Sequence, residues 1–169
     1  AFNKVRLLNP FPDTDKVRAF FRKEDIGYIS EETFVKLFMD YMNFLDKKKL
    51  FDFTSLLEKA LEYELLIGGD VLVIDEFQDF GALHHLLIQS WLPRFRYSIV
   101  AGDDDQAIFE FAGSDAKFLI EAQSENTVIL PQSYRLPLEI HQKALEVISK
   151  NKGRVAKQFE SRGSKGLVQ

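Results

Sequence analysis

Acidic side chains directly follow two apolar segments of the sequence, and their positions suit phosphate chemistry. Asp75 and Glu76 come directly after the apolar residues 71–74, and a run of three aspartates, residues 103–105, follows a second apolar segment. A single Asp can hold Mg²⁺, because this ion binds one or two carboxylates together with waters and phosphate oxygens. An adjacent Glu can act as a general base toward an attacking water. The residues therefore suit magnesium-assisted hydrolysis of a phosphate compound.

The same acids also have a purely structural interpretation. Carboxylates near a helix start can cap its free N–H groups and interact with the positive end of its dipole. Helix capping readily explains acids at the end of one strand. It explains less well why two neighbouring strands both end in acids. In open parallel sheets, ligands bind just beyond the carboxyl ends of the strands. We therefore favour a ligand site at Asp75 and Asp103.

The hydrophobic pattern predicts the elements that must position these acids. Residues 71–74, 96–103 and 126–131 are largely apolar runs and are predicted to be strands, with a predicted helix over residues 82–92. Pro137 is predicted to open a final helix. Strands that alternate with helices indicate an α/β fold with a parallel sheet covered on both faces.

The sequence before the sheet is predicted to be mostly helical. Residues 1–14 are rich in Pro, Asn and Asp and are predicted to be irregular. Ser30 is predicted to cap a helix whose first turn is acidic and whose apolar residues recur at near-helical spacing. A further helical pattern covers residues 47–66 and ends at Gly68.

Composition excludes several classes of protein. The 169 residues contain no cysteine, which excludes a disulfide framework and a cysteine-based zinc site and fits a reducing, cytoplasmic location. No apolar run approaches the length needed to span a bilayer. The formal net charge of −4 argues against nucleic-acid binding through bulk positive charge. Any nucleic-acid contact must therefore be local, through aromatic rings and a few basic groups.

Three motifs in sequence order carry a resemblance to a known family. The segment "VLVIDEFQD" resembles motif II (Walker B) of superfamily 1 DNA helicases of the UvrD/Rep/PcrA type, "IVAGDDDQAIFEFAGSD" resembles motif III, and "ILPQSYRLPLEI" resembles motif IV. The segments "LFDFTSLLEKAL" and "NKGRVAKQF" are similar to the family's flanking sequences. The resemblance implies a partial RecA-like (P-loop NTPase) parallel sheet. It also implies that residues 1–50 are the remainder of a helical insertion subdomain (1B-like), and residues 51–169 the C-terminal part of the first motor domain (1A-like).

The resemblance also implies roles for individual residues around MgATP. Asp75 would coordinate the Mg²⁺ ion, and Glu76 would activate the hydrolytic water. Gln78 and Asp79 would couple this site to neighbouring motifs through hydrogen bonds. Gln106 would sense the γ-phosphate.

Four more residues receive roles in the same way. Arg135 would reach the γ-phosphate, and Tyr134 would stack near the adenine. Phe109 and Phe111 are the candidates for DNA binding: Phe111 would stack on an unpaired base, whereas Phe109 is expected to be mainly structural. The alternative for this pair is a half-buried strand.

The sequence departs from the family pattern at several positions. Ala112 stands where the family usually has Arg, Phe111 replaces the commoner Trp, and Ser133 and Leu136 flank the Tyr-Arg pair in place of Asn and Ser. A phosphate-cradling loop, G-x-x-x-x-G-K-[ST], does not occur in these residues. The resemblance implies that this loop precedes residue 1 and that a second motor domain of the same polypeptide follows residue 169. We therefore expect residues 1–169 alone to hydrolyse little or no ATP.

The function implied by the resemblance is that of an ATP-dependent DNA helicase, translocating 3′ to 5′ on single-stranded DNA in repair, recombination or replication. Its implied cofactors are ATP and Mg²⁺. One alternative is a helicase–nuclease of the RecB or AddA kind. Another is a metal-dependent nuclease or phosphatase that uses Asp75 and Asp103 as metal ligands. A third is a non-catalytic interaction module.

Overall fold

A small parallel sheet follows a group of helices in the computed structural model, which describes residues 1–122, 124, 126–161, 163 and 166. None of the helices in these ranges is both long and apolar enough to cross a bilayer. The helices and strands, in chain order, are α1 (Phe2–Leu8), α2 (Thr14–Lys23), α3 (Glu31–Lys48), α4 (Phe53–Glu62), β1 (Gly69–Ile74), α5 (Ala82–Trp91), β2 (Phe95–Val100), α6 (Lys117–Glu121) and α7 (Leu138–Ile148).

The N-terminal helices confirm one prediction and correct another. Ser30 caps α3: its Oγ accepts a hydrogen bond from the Thr33 N–H at 3.2 Å. The prediction that residues 1–14 are irregular is wrong, because residues 2–8 form α1. This helix exists through tertiary contacts: its Val5 and Arg6 side chains are fully buried against other helices.

Phenylalanine rings form the centre of the helical part. Phe2 lies edge-on to Phe34 and Phe38, with ring centroids 5.4 and 5.6 Å apart, and Phe20 stacks on Phe34. Edge-to-face and offset pairs of this kind add to the stabilisation from burial. These contacts account for part of the 16 phenylalanines in the sequence. The buried members of this core are Val5, Val17, Phe20, Phe34, Val35 and Phe38.

A buried ion-pair network joins α1 to α4. Arg6 donates to Glu58 through Nε at 3.0 Å and through Nη2, and its Nη1 donates to Asp52 Oδ2 at 2.8 Å. Asp52 also caps α4 by accepting from the Ser55 N–H and accepts from the Tyr41 hydroxyl. Burial alone would raise the pKa of Asp52, but the hydrogen bonds from Ser55, Tyr41 and Arg6 outweigh it and hold the pKa at about 2.

The sheet pairs β1 with β2 in parallel, with Ile74 opposite Val100 and the crossover made through α5. One face packs against helices through Leu72 and Ile74. On the other face Val73 and Ile99 are 63% and 55% exposed. The prediction of a sheet covered on both faces is therefore wrong for the described residues. Side chains alternate across a strand, and α5 can cover only one of the two faces.

The predicted third strand does not pair with this sheet. Residues 127–130 face β2 across a cavity of about 940 Å³, which Ile99 and Leu130 help to line. The Val128 and Leu130 side chains are 78% and 79% exposed. The apolar pattern predicts a strand correctly only where a neighbouring backbone lies at hydrogen-bonding distance. Here the described part of the chain supplies only one isolated bridge nearby, between Gln132 and Glu160.

Candidate functional site

The acids of the first motif lie at the carboxyl end of β1. The Asp75 and Glu76 side chains are exposed, and Asp75 Oδ1 accepts a hydrogen bond from the Glu76 N–H at 2.9 Å. Glu76 has φ 52° and ψ 40°, in the left-handed region that a residue with a side chain seldom occupies. Backbone strain of this kind often accompanies functional sites. The conformation is held because the next residue, Phe77, donates its N–H to Ala101 O at 3.0 Å.

Gln78 connects the ends of the two strands. Its side chain is almost fully buried, at 2% exposure. The amide Nε2 donates to Glu76 Oε2 at 2.7 Å, and Oε1 accepts from the Asp103 N–H at 2.9 Å. Gly102 leaves room for this arrangement, because a Cβ at that position would lie 2.6 Å from Gln78 Oε1. Gln78 therefore fixes the position of Glu76 relative to the end of β2.

The network continues to Gln106. Its Nε2 donates to Asp103 Oδ2 at 2.6 Å, so hydrogen bonds run without interruption from Glu76 through Gln78 and Asp103 to Gln106. Gln106 itself is exposed and ends the short 3-10 turn Asp104–Gln106. The structure thus brings Asp75, Glu76, Gln78 and Gln106 together at one edge of the sheet, as adjacent parallel strands allow.

Asp79 has a different environment from that predicted. Its Oδ1 is buried, and no hydrogen bond reaches it from any residue that the structure describes. Burial, and then the nearby Glu76 charge, raises the pKa of Asp79. Its predicted coupling through hydrogen bonds is thus not seen among the described residues.

Tyr134 and Arg135 lie outside this hydrogen-bonded network. Tyr134 is 80% exposed and Arg135 is also exposed. No described hydrogen bond joins either side chain to Glu76, Gln78 or Gln106 within residues 1–122 and 126–161. Their predicted roles toward a nucleotide stay predictions.

The two candidate DNA-binding rings lie on the surface. Phe111 is 72% exposed and Phe109 is 43% exposed, with ring centroids 6.0 Å apart. Phe111 lies in a short 3-10 turn, Glu110–Ala112, and Phe109 is the residue before it. The alternative of a half-buried strand is therefore wrong. An exposed ring of this size can stack on a flat ligand.

Two basic residues at this edge were not predicted from the sequence. Arg154 and Lys157 form ion pairs with the three aspartates of the 103–105 run. The sequence feature that could have indicated these ion pairs is the presence of two basic residues, three positions apart, in a chain that also has three consecutive aspartates. Since the two segments are about fifty residues apart in sequence, no local pattern joins them.

The carboxylates at this edge suit a site in which a single side chain binds Mg²⁺ better than a metal centre built from several carboxylates. Asp75 is a single exposed carboxylate at a strand end, which suits Mg²⁺ because the ion keeps several waters and binds phosphate oxygens. Within residues 1–122, 124, 126–161, 163 and 166, no group of three or more His, Cys, Asp or Glu side chains could hold a metal ion. Asp103 is paired with Lys157 at 2.5 Å, which weighs against its use as a second metal ligand.

Comparison with known proteins decides the family. The sequence profile of the UvrD/REP helicase N-terminal domain matches residues 14–127. The chain belongs to the UvrD/REP helicase N-terminal domain family. The match covers both strands of the sheet, the acids after β1 and the Gln106 turn. It thereby confirms the UvrD-type resemblance that the motifs indicated.

Several DNA helicases are similar to this chain. It is 29% identical over 158 residues to DNA helicase II of Haemophilus influenzae, covering 85% of this chain and 21% of that protein. It is 28% identical over 158 residues to DNA helicase II of Escherichia coli, covering 85% of this chain and 22% of that protein. It is 26% identical over 160 residues to the ATP-dependent DNA helicase PcrA of Bacillus subtilis, covering 87% and 22%. The chain thus spans about one fifth of the length of these relatives.

Proposed function

We propose that this chain is part of the motor of an ATP-dependent DNA helicase that couples ATP hydrolysis to 3′–5′ translocation on single-stranded DNA and to duplex unwinding. The observation that carries the proposal is the hydrogen-bonded network from Glu76 through Gln78 and Asp103 to Gln106. A network that links two strand ends can hold a general base and a phosphate-contacting amide in a fixed relation. Membership of the helicase family supports the same function.

The predicted site residues would have distinct tasks. Glu76 would accept a proton from the attacking water, and Gln78 would hold the Glu76 carboxylate by donating to its Oε2. Gln106 would contact the γ-phosphate with an uncharged amide, and Arg135 would add a positive charge there. Asp75 would bind Mg²⁺, which when bound would neutralise charge on the phosphate oxygens. Tyr134, being exposed, would be available to stack on the adenine.

The domain assignment is also a proposal. We propose that residues 1–50 complete a helical insertion subdomain and that residues 51–169 belong to the first RecA-like motor domain. The buried contact of Arg6 with Asp52 and Glu58 would then join the two units. We further propose that the phosphate-cradling loop and the second motor domain lie elsewhere in the same polypeptide, and that the protein acts in the cytoplasm on DNA.

Assays with the full-length protein test this function. Purified full-length protein is expected to hydrolyse ATP faster when single-stranded DNA is added, and to unwind a duplex with a 3′ single-stranded extension. Without ATP it should leave DNA intact. DNA cleavage without ATP, together with no DNA-stimulated ATP hydrolysis, would favour the metal-dependent nuclease and contradict the proposal.

Truncating Phe111 is expected to weaken single-stranded DNA binding. Stacking of a base on an aromatic ring contributes about 1–3 kcal/mol, so Phe111→Ala should raise the Kd for an oligonucleotide about 5-fold to 150-fold. Fluorescence anisotropy of a labelled oligonucleotide, without nucleotide, measures the change in the full-length protein. Tyr28→Ala is the matched control, because Tyr28 is a 92% exposed ring in the connection between α2 and α3. Equal affinities for Phe111→Ala and wild type would remove Phe111 from the DNA site.

A further inference from the structure

The three aspartates of residues 103–105 are held by a basic segment from the C-terminal part of the chain. We define the tail cluster as Asp103, Asp104, Asp105, Arg154 and Lys157. Lys157 Nζ lies 2.5 Å from Asp103 Oδ1 and 3.3 Å from Asp105 Oδ2, and it also donates to Asp104 Oδ1.

A second group of contacts fixes the same segment. Arg154 donates from Nε to Asp105 Oδ1 at 2.7 Å and pairs with Asp105 Oδ2 through Nη2. The Val155 N–H donates to Asp104 Oδ2 at 2.8 Å. Each of the three carboxylates therefore has a partner in residues 154–157. A segment that contacts all three consecutive acids restricts the conformation of the whole 103–106 turn.

The environment of Lys157 is unusual for a lysine. Its side chain is only 6% exposed, although lysine is seldom buried without a partner. Burial alone would lower the pKa of Lys157, but hydrogen bonds and charge from Asp103 and Asp104 outweigh this and raise it. The charged ammonium group offsets the repulsion among three adjacent carboxylates. Removing it would leave those carboxylates close together and poorly compensated.

The tail cluster contacts the candidate site through one side chain. Asp103 accepts from Lys157 with Oδ1 and from Gln106 with Oδ2, at 2.5 and 2.6 Å. The Asp103 N–H donates to Gln78, which in turn donates to Glu76. Lys157 therefore holds the carboxylate that orients Gln106.

We propose that Lys157, supported by Arg154, is a positioning residue that acts through Asp103 to hold Gln106 in the orientation required for ATP hydrolysis. The inference rests on the proposed function and deepens it. It assigns a task to the basic residues after the last helix, which the proposed chemistry does not otherwise use.

A double-mutant cycle in the full-length protein tests the inference. Lys157→Ala is expected to lower kcat for DNA-stimulated ATP hydrolysis about 10-fold to 100-fold, with little change in the KM for ATP. In a Gln106→Ala background, the same change should lower kcat by less than about 3-fold, because the group that Lys157 positions is already absent. Lys157→Arg, which keeps the charge and donors, should restore most of the activity. Lys143→Ala, a 60% exposed lysine paired with Glu146, is the control and should match wild type.

The outcomes separate this inference from the proposed function. Wild-type protein without ATP hydrolysis would overturn both. A different result would be an active wild type for which the fold-decreases in kcat of Lys157→Ala and Gln106→Ala multiply in the double variant. That result would overturn the positioning role alone, because a merely structural lysine acts independently of Gln106. If Lys157→Ala does not fold, the same cycle with Lys157→Gln decides the question. The Lys157→Gln variant keeps an amide donor at this position but no charge. It should again lower kcat only where Gln106 is present.

Discussion

The Glu76→Gln variant of the full-length protein is expected to hydrolyse ATP about 10²-fold to 10⁴-fold more slowly than wild type, the usual contribution of a general base. The amide keeps the size of the side chain and still offers an oxygen to Gln78 Nε2, so the network should persist. Only the ability to take a proton from water is lost. Steady-state phosphate release with saturating single-stranded DNA measures the rate.

Binding measurements make this result specific. Glu76→Gln should bind a fluorescent ATP analogue with an affinity within about 3-fold of wild type, because Glu76 is proposed to act on water rather than on the nucleotide. Asp70→Asn is the matched control, since it also changes an exposed acid to its amide but lies at the opposite end of β1. If Glu76→Gln retained the wild-type rate, Glu76 could not be the general base.

The Arg6→Ala variant is expected to lower the free energy of unfolding by about 3–5 kcal/mol, the usual cost of breaking a buried ion pair. The Arg6 side chain has no solvent exposure, and its removal leaves Glu58, at 8% exposure, as an uncompensated buried charge. It also removes a donor from Asp52, the residue that caps α4. Urea unfolding followed by circular dichroism measures the loss.

Two further variants show whether burial of the Arg6 ion pair causes the loss of stability in Arg6→Ala. Arg22→Ala removes an arginine that is 69% exposed and also pairs with a glutamate, Glu31. Because solvent screens an exposed ion pair, this change should cost much less stability than Arg6→Ala. The double variant Arg6→Met with Glu58→Met should recover much of the stability, because a well-packed apolar pair can replace a buried ion pair. A loss for Arg6→Ala no larger than that for Arg22→Ala would contradict the structural role of the network.

Much of the candidate site could be predicted from sequence because its geometry follows from local pattern and strand direction. An apolar run that ends in Asp75 and Glu76, and a second that ends at Asp103, place these residues at the same edge once the strands are parallel. The Ser30 cap is equally local, since the hydroxyl reaches an N–H only three residues away. Such features depend on a few residues that are close together in the sequence, so they can be predicted from the sequence pattern.

Features that depend on distant partners could be decided only by the tertiary structure. Residues 2–8 are helical because Arg6 and Val5 are buried against helices far along the chain. Residues 127–130 have a strand pattern, but no strand in the described part of the chain pairs with them, so the strand predicted from the pattern does not form there. The sequence by itself determined the α/β order, the acid-ended strands and the helicase family. The tertiary structure decided that Gln78 joins the strand ends and that Lys157 holds Asp103, because such side-chain pairs form only when segments distant in sequence meet in space.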